Sequence, residues 1–402
     1  MSDTTGTERL RARLRMRMSG RNRELMRASG DRPVRISRYP RLRTAAALAA
    51  YQAQAEPALP YPQGWFCVGL SREWPPGQVR TRPFMGREVV LYRTRRGVLR
   101  AIGPYCPHLG AHLGVGGRIE GENLVCPYHG YAYATDGVCV HTPNAPAPKA
   151  TLEREEVREF NGMVYAWHSA DGAPPAWEIV AEPLEGYHRP VWRTYELASH
   201  PQEVLENLVD YDHSMTLHGL SIQQTQPPVA DGPHFHVDLR VGRRASLLGE
   251  LVVEHPVDLY GLGHLQLRFE LPQYGMSVRN WFLPTPVAPW RIHLRVVGSC
   301  KVTVAKRLPP ALRELSNRQL SHLASYLVMQ ELIKITHADR PIWQHKRYQP
   351  HPRLSKADGP IGPYRHWARQ FYPATVGTRG PAGTQRDNGS ADIAPPVPPA
   401  LT

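Results

Sequence analysis

Apolar positions along the chain fall first into short alternating runs and later into longer strand-like and helical stretches. Gly64-Trp65-Phe66-Cys67-Val68-Gly69-Leu70, Glu88 to Arg93, Gly97 to Gly103, Leu124-Val125, Tyr131 to Ala134 and Met163 to His168 read as short strands with turn residues between them, among them Arg95-Arg96-Gly97. Residues 60–180 are therefore predicted to form a small all-β domain, and the Pro, Gly and Ala at 171–176 mark its boundary. Beyond it, Gln202 to Tyr211 predicts a helix with Val204, Leu205, Leu208 and Val209 on one side. Strand-like segments follow near 235–241, 245–254, 264–271, 275–283 and 291–302, spaced as one large antiparallel sheet. From Pro310 to about Ile335 the pattern is helical, with Leu312, Leu315, Leu320, Leu323 and Leu327 on a broad apolar face, and Pro341 is expected to end or kink that element. The expected class is α+β, an all-β domain followed by an antiparallel sheet flanked by helices in a helix-grip arrangement. The expected organisation is a partly disordered arm (1–58), the all-β domain (59–178), the sheet-and-helix domain (179–376) and a disordered tail (377–402).

Charge changes the picture only at the N-terminus. The 402-residue chain carries a net charge of +14, and residues 1–43 hold thirteen Arg against Asp3, Glu8, Glu24 and Asp31. Such an arm suits nucleic acid, an anionic membrane surface or an acidic protein, yet its composition equally describes a solvated tail, which is the reading adopted; nucleic-acid binding is not expected. Early acids and the lack of an amphipathic helix or cleavage signal argue against a transit peptide. No apolar run approaches the ~18 residues of a membrane span, so membrane contact is expected to be peripheral at most. The five cysteines form no disulfide framework, which points to a reducing cytoplasm.

Two of those cysteines carry chemistry. Cys106-Pro107-His108 and, after a gap of seventeen residues, Cys126-Pro127-Tyr128-His129 place one thiol and one imidazole on each of two loops. A Rieske [2Fe-2S] centre needs two thiolates on one iron and two imidazoles on the other, which assigns Cys106 and Cys126 to one iron and His108 and His129 to its neighbour. Zinc sites instead pair C-x2-4-C with H-x3-5-H. His112 is left out because the set of four is already complete. Gly114, Gly116 and Gly117 lack the strand-then-helix setting of a dinucleotide fingerprint, so no NAD(P)H site is expected on this chain.

The second constellation is Glu206-Asn207-Leu208-Val209-Asp210-Tyr211-Asp212-His213-Ser214-Met215-Thr216-Leu217-His218. His213 and His218 can share one metal on a helix that loosens between them, although two histidines at this spacing are by themselves as readily core residues. A distant carboxylate would complete a 2-His-1-carboxylate site for Fe(II) with open positions for O2. Asp339, in His337-Ala338-Asp339-Arg340-Pro341-Ile342-Trp343, is the candidate; Glu331 and Asp358 are rivals, and Asp339 is alternatively a simple helix cap.

In this order, C-P-H-L-G, C-P-Y-H-G and N-x-x-D-x-x-H-x4-H resemble the α subunit of Rieske non-heme iron oxygenases from about residue 60 to 373. Asn161 to Trp167, Asp358-Gly359-Pro360-Ile361 and Arg365 to Tyr372 look most like the 3-ketosteroid 9α-hydroxylase and cholesterol 7-desaturase branch. The resemblance implies a mono-oxygenase-type terminal oxygenase that takes electrons from NAD(P)H through a ferredoxin or reductase and oxidises an apolar steroid-like or natural-product substrate. It favours Asp339 as third ligand. It also implies a homotrimer in which His129 of one subunit meets Asp210 of the next, with Asp210 and Asn207 serving the catalytic site. Tyr211-Asp212-His213 departs from the Ala-His of steroid members, which puts a steroid substrate in doubt. The alternative is a Rieske electron carrier whose second domain binds a lipid or partner.

Overall fold

A computed structural model of the chain describes residues 59–245, 249–303, 309–355 and 358–373. The predicted N-terminal arm and C-terminal tail lie outside the described residues. The first half holds β1 (Gly64–Leu70), β2 (Val79–Phe84), β3 (Arg87–Arg93), β4 (Leu99–Ile102), β5 (Arg118–Glu120), β6 (Asn123–Val125), β7 (Ala132–Tyr133), β8 (Cys139–His141), β9 (Arg154–Glu155), β10 (Val157–Phe160) and β11 (Met163–His168). They pair antiparallel as β1-β11-β10, β2-β3-β4-β9 and β5-β6-β7-β8. The last of these small sheets carries the cysteine loops at one end of its strands.

The second half is one antiparallel sheet in the order β12-β19-β18-β17-β16-β15-β13, with β14 also on β15. Its strands are β12 (Val191–Leu197), β13 (Ser221–Gln224), β14 (Val229–Asp231), β15 (His234–Ala245), β16 (Gly249–Tyr260), β17 (His264–Leu271), β18 (Met276–Ala288) and β19 (Arg291–Val302). The five predicted segments are present, except that the one expected at 245–254 is divided, Ala245 ending β15 and Gly249 opening β16.

The predicted boundary falls in the connection between β11 and β12, yet apolar packing crosses it. Trp65, Cys67, Tyr165 and Trp167 share a core with Tyr260, Trp281, Leu283 and Val297. Where β1 shifts register between Cys67 and Gly69, its carbonyls turn to the large sheet. Buried Arg295 donates to the Cys67 and Val68 carbonyls at 2.6 and 2.9 Å, and the Thr285 hydroxyl donates to Cys67 O at 2.6 Å.

Four helices cover the other face: α1 (Pro201–Glu206), α2 (Tyr211–His218), α3 (Pro310–His345) and α4 (Ile361–Ala368). The helix predicted over 202–211 is two helices. After Glu206 the chain turns, and Asp210 adopts an extended conformation (φ −92°, ψ 94°) that caps α2. Gly359 presses on this turn: at φ +74°, any Cβ there would lie 2.3 Å from Val209 O.

Of the two outcomes expected at Pro341, an end to the helix is excluded, since α3 runs through it to His345 with buried Trp343 and Gln344 on its last turns. The predicted leucine stripe is exposed; the buried face is Ser321, Ser325, Met329, Leu332, Thr336, Asp339 and Trp343. β12 pairs with β19 only as far as Gly298, leaving the amides of Cys300 and Val302 without a strand partner on that edge. The Ser325 and Ser321 hydroxyls accept from those amides at 3.0 and 2.9 Å and donate to carbonyls one turn back in α3. Two hydroxyls therefore dock the helix together with Met329 and Leu332, and the leucine periodicity reports the opposite face.

Replacing Ser325→Ala orphans the Cys300 amide and is expected to cost about 1–3 kcal/mol in urea denaturation; an unchanged midpoint contradicts this docking. His200 and His264, both fully buried and pushed by desolvation from 6.5 to about 4, stay neutral in the fold. Their stabilisation is complete above the unfolded value and is lost as pH falls from 6.5 toward 4, because there the unfolded chain binds protons that the native chain does not. Urea midpoints measured across that window are expected to fall with pH, and less so in a His200→Gln, His264→Gln variant.

Candidate functional site

The two cysteine loops repeat one backbone motif. The first joins β4 to β5 and the second joins β6 to β7. In each, the cysteine amide donates to a carbonyl five residues on, Cys106 to Ala111 at 2.9 Å and Cys126 to Tyr131 at 2.8 Å. Gly110 and Gly130 close the turns onto the Cys106 and Cys126 carbonyls at φ +73° and +70°, where a side chain would be strained. Both thiols are buried, whereas His108 is exposed and His129 half-exposed, their ring centroids 4.7 Å apart. His108 stacks on Tyr131, which fixes its plane. Burial pushes the Cys126 thiol up, and the neighbouring Cys106 adds to this, while the Tyr128 and His129 amides act in the opposite sense. Two adjacent buried thiols beside two accessible imidazoles fit a cluster whose positive irons stabilise both thiolates. His112 has other partners: its Nε2 lies 3.1 Å from Glu88 Oε2 and its Nδ1 accepts from the Gly114 amide.

The second group joins α2 to α3. One ligand atom from each of His213, His218 and Asp339 lies within 4.8 Å of the others. His218 Nε2 is 2.9 Å from Asp339 Oδ1, and both side chains are almost wholly buried. The helix does not loosen between the histidines as expected. His218 is instead its last residue, and Gly219 turns left-handed (φ 64°) immediately after, so a five-residue spacing still brings the ring centroids to 5.4 Å. Asp210 takes up the Nδ1 side of His213, with its backbone carbonyl at 2.5 Å and its carboxylate at 3.6 Å, leaving Nε2 for a metal. Burial pulls His213 down, but the Asp210 and Asp339 carboxylates outweigh it and hold the imidazole above its ordinary range. Burial likewise raises Asp210, yet its bond to His213 leaves the carboxyl below the usual range. Two imidazoles and a buried carboxylate fit mononuclear iron.

Other sequence candidates are placed elsewhere. Asn207 is half-buried at the end of α1, outside the three-residue group. Glu331 pairs with Lys334 on the exposed side of α3, and Asp358 caps the Ser355 amide. A groove of about 740 Å³ lined by Tyr187, Arg189, Lys301, Arg313 and Arg318 opens near Ser321, about 27 Å along α3 from Asp339 at 1.5 Å rise per residue, so it is separate from this site. Sequence reading missed a second convergent group, His234, His236 and Asp258. Its signal is the alternation His234-Phe235-His236-Val237-Asp238, which puts three polar side chains on one face of β15.

Among the described residues no helix is long and apolar enough to cross a membrane. The structure is similar to that of dicamba monooxygenase (TM-score 0.53, 15% identity, 77% of this chain and 97% of that one). It is also similar to NdmA of Pseudomonas putida CBB5 (TM-score 0.54, 17% identity, 76% and 89%), and at such identities both show the shared fold. Residues 64–161 match the Rieske [2Fe-2S] domain and residues 166–372 the 3-ketosteroid 9α-hydroxylase C-terminal domain. The chain is 31% identical to the cholesterol 7-desaturase of Bombyx mori over 78% of its own length and 70% of the relative's. It is 25% identical to the oxygenase component of the 3-ketosteroid-9-alpha-monooxygenase of Rhodococcus rhodochrous over 80% and 83%. With paired cysteine–histidine loops in one half and a candidate mononuclear iron site in the other, the chain belongs to the Rieske non-heme iron oxygenases, in the branch of the 3-ketosteroid 9α-hydroxylases and cholesterol 7-desaturases.

Proposed function

We propose that the chain is the terminal oxygenase of a multicomponent system, acting as a mono-oxygenase or desaturase on a sterol-like substrate. The observation that carries this reading is the convergence of His213, His218 and Asp339 in a chain that also holds the cysteine loops. Cys106, Cys126, His108 and His129 are assigned to the Rieske cluster, and His213, His218 and Asp339 to the iron. When bound, the cluster supplies electrons one at a time and the iron supplies O2 activation against a C–H bond. NAD(P)H enters only through a ferredoxin or reductase. The apolar substrate class rests on the sterol-oxidising relatives.

The departure at Tyr211-Asp212 weighs little against a sterol. The Tyr211 hydroxyl donates to Gln224 Oε1 at 2.9 Å, its ring packs on the apolar core under α4, and Asp212 is exposed. The exposed imidazole edge of the cysteine loops is the exit for electrons. A homotrimer would set His129 beside the partner subunit's Asp210, and the side chains of both residues are accessible in the single chain. Asp210 then has two tasks, capping α2 through the His213 amide at 3.3 Å and orienting the His213 ring. Asn207 belongs to the turn that presents Asp210 and acts as a positioning residue.

Reconstituted protein is expected to bind about three irons per chain, falling to about two with an intact Rieske EPR signal in a His213→Ala, His218→Ala variant. Three irons in that variant, or two in the parent, would exclude the assignment. Asp210→Asn keeps an N-cap but loses the charge. It is expected to retain all the iron and reduce normally, while substrate oxidation falls by a factor on the order of 100 or more. Full turnover would remove the bridging role.

A further inference from the structure

On the face of the large sheet away from the helices, a second set of ligand-capable side chains converges. His234 and His236 project from β15 beside Asp258 of β16, in a ladder that pairs His236 directly with Asp258. The intervening Phe235 and Val237, with Val257 and Leu259, face the core beneath α4, so strand alternation puts this group across the sheet from His213, His218 and Asp339. Asp258 Oδ1 is the focus, with His234 Nε2 at 2.7 Å and His236 Nδ1 at 2.8 Å. His234 stacks on Tyr260 with centroids 4.8 Å apart, which fixes its ring, and Asp258 is 3% exposed.

The other nitrogen of His236, Nε2, lies 3.2 Å from Asp238 Oδ1, so each ring nitrogen faces a carboxylate and the group as a whole is rich in negative acceptors. The surrounding charges do not offset this. Arg268 bridges Asp258 Oδ2 and Glu182, and Arg279 bridges Glu182 and Glu270. Counting Asp238, these are four acids against two guanidiniums. A divalent cation between His234 Nε2, His236 Nδ1 and Asp258 Oδ1 would offset this surplus of acids. The atoms now stand at hydrogen-bond lengths of 2.7 and 2.8 Å, so a metal bound at roughly 2.0–2.1 Å, whose ligands lie about 2.9–3.3 Å apart at angles of 90–110°, needs each pair to open by only a few tenths of an ångström. Asp238 would then accept the remaining N–H of His236, the usual partner of a metal-bound imidazole.

We infer that His234, His236 and Asp258 form a second metal site, for a divalent ion of the zinc class, that braces β15 and β16. Two imidazoles disfavour calcium or magnesium. Through Asp258, Arg268 and Glu182 the ion is connected to the segment linking the two halves of the chain. The inference is independent of the assignment of the catalytic iron.

The test uses the full-length protein with its Rieske cluster and the His213→Ala, His218→Ala substitutions, which remove the competing three-residue group. Equilibrium dialysis against Zn2+ with elemental analysis is expected to retain about one zinc per chain, and less than about a fifth of that after adding His234→Gln and His236→Gln. The Rieske spectrum reports that the protein remains folded. No zinc in the parent, or the same zinc in the added variant, overturns the site. Zn K-edge absorption of the parent needs no change at the site: nitrogen and oxygen ligands including two imidazoles support it, whereas a sulfur shell or a shell without histidine overturns it.

Discussion

The placement of α3 depends on two serine hydroxyls. β19 outruns its neighbour β12, and the amides of Cys300 and Val302 take Ser325 and Ser321 as acceptors instead. A leucine at either position would leave a buried amide unpaired and hold the helix away from the strand. Gly298 lies under the same contact, where a Cβ would meet Met329 and Leu332 within 3.6 Å. Thus the small residues of strand and helix fix the depth of α3. About four turns beyond Ser325 along the same buried face, that depth brings Asp339 to 2.9 Å from His218.

The opposite partner, α2, is fixed by different means. The turn after α1 is held under Gly359, and α1 is tied from outside by Arg365 to Glu206 at 2.8 Å and by Lys346 to Glu203 at 2.9 Å. These contacts come from the segments after α3 and from α4, so the chain's last described elements position its first catalytic-side histidines. Burial raises Glu203 above its ordinary range, with Lys346 opposing, so this anchor depends on the cation being present.

Much of this was legible in the sequence for physical reasons. Cys106, His108, Cys126 and His129 lie close together along the chain on loops with a shared glycine turn, so spacing alone carries them. His213 and His218 share one helix. Asp339 is 121 residues from His218, and its selection rested on family resemblance rather than on spacing. The face of α3 was misread because most of its buried residues, Ser321, Ser325, Thr336, Asp339 and Gln344, are ones that hydrophobic periodicity scores as solvent. The division between α1 and α2 was missed because Val204, Leu205, Leu208 and Val209 keep helical spacing through a turn that Asp210 and the distant Gly359 impose. His234, His236 and Asp258 went unnoticed because the third member lies on the next strand.

Arg295 has a consequence for how such chains can be recombined. Its guanidinium ends on main-chain carbonyls of the iron–sulfur half, and Thr285 shares one of them. Backbone acceptors are present whatever the side chains of β1, but they are correctly aimed only if β1 shifts register at Cys67 to Gly69. The two halves are therefore poor interchangeable modules. A chimera that joins the cluster-bearing half of one relative to the sheet of another must inherit the irregularity in β1 and the arginine of β19 together, since either one alone leaves a buried cation or two buried carbonyls unanswered.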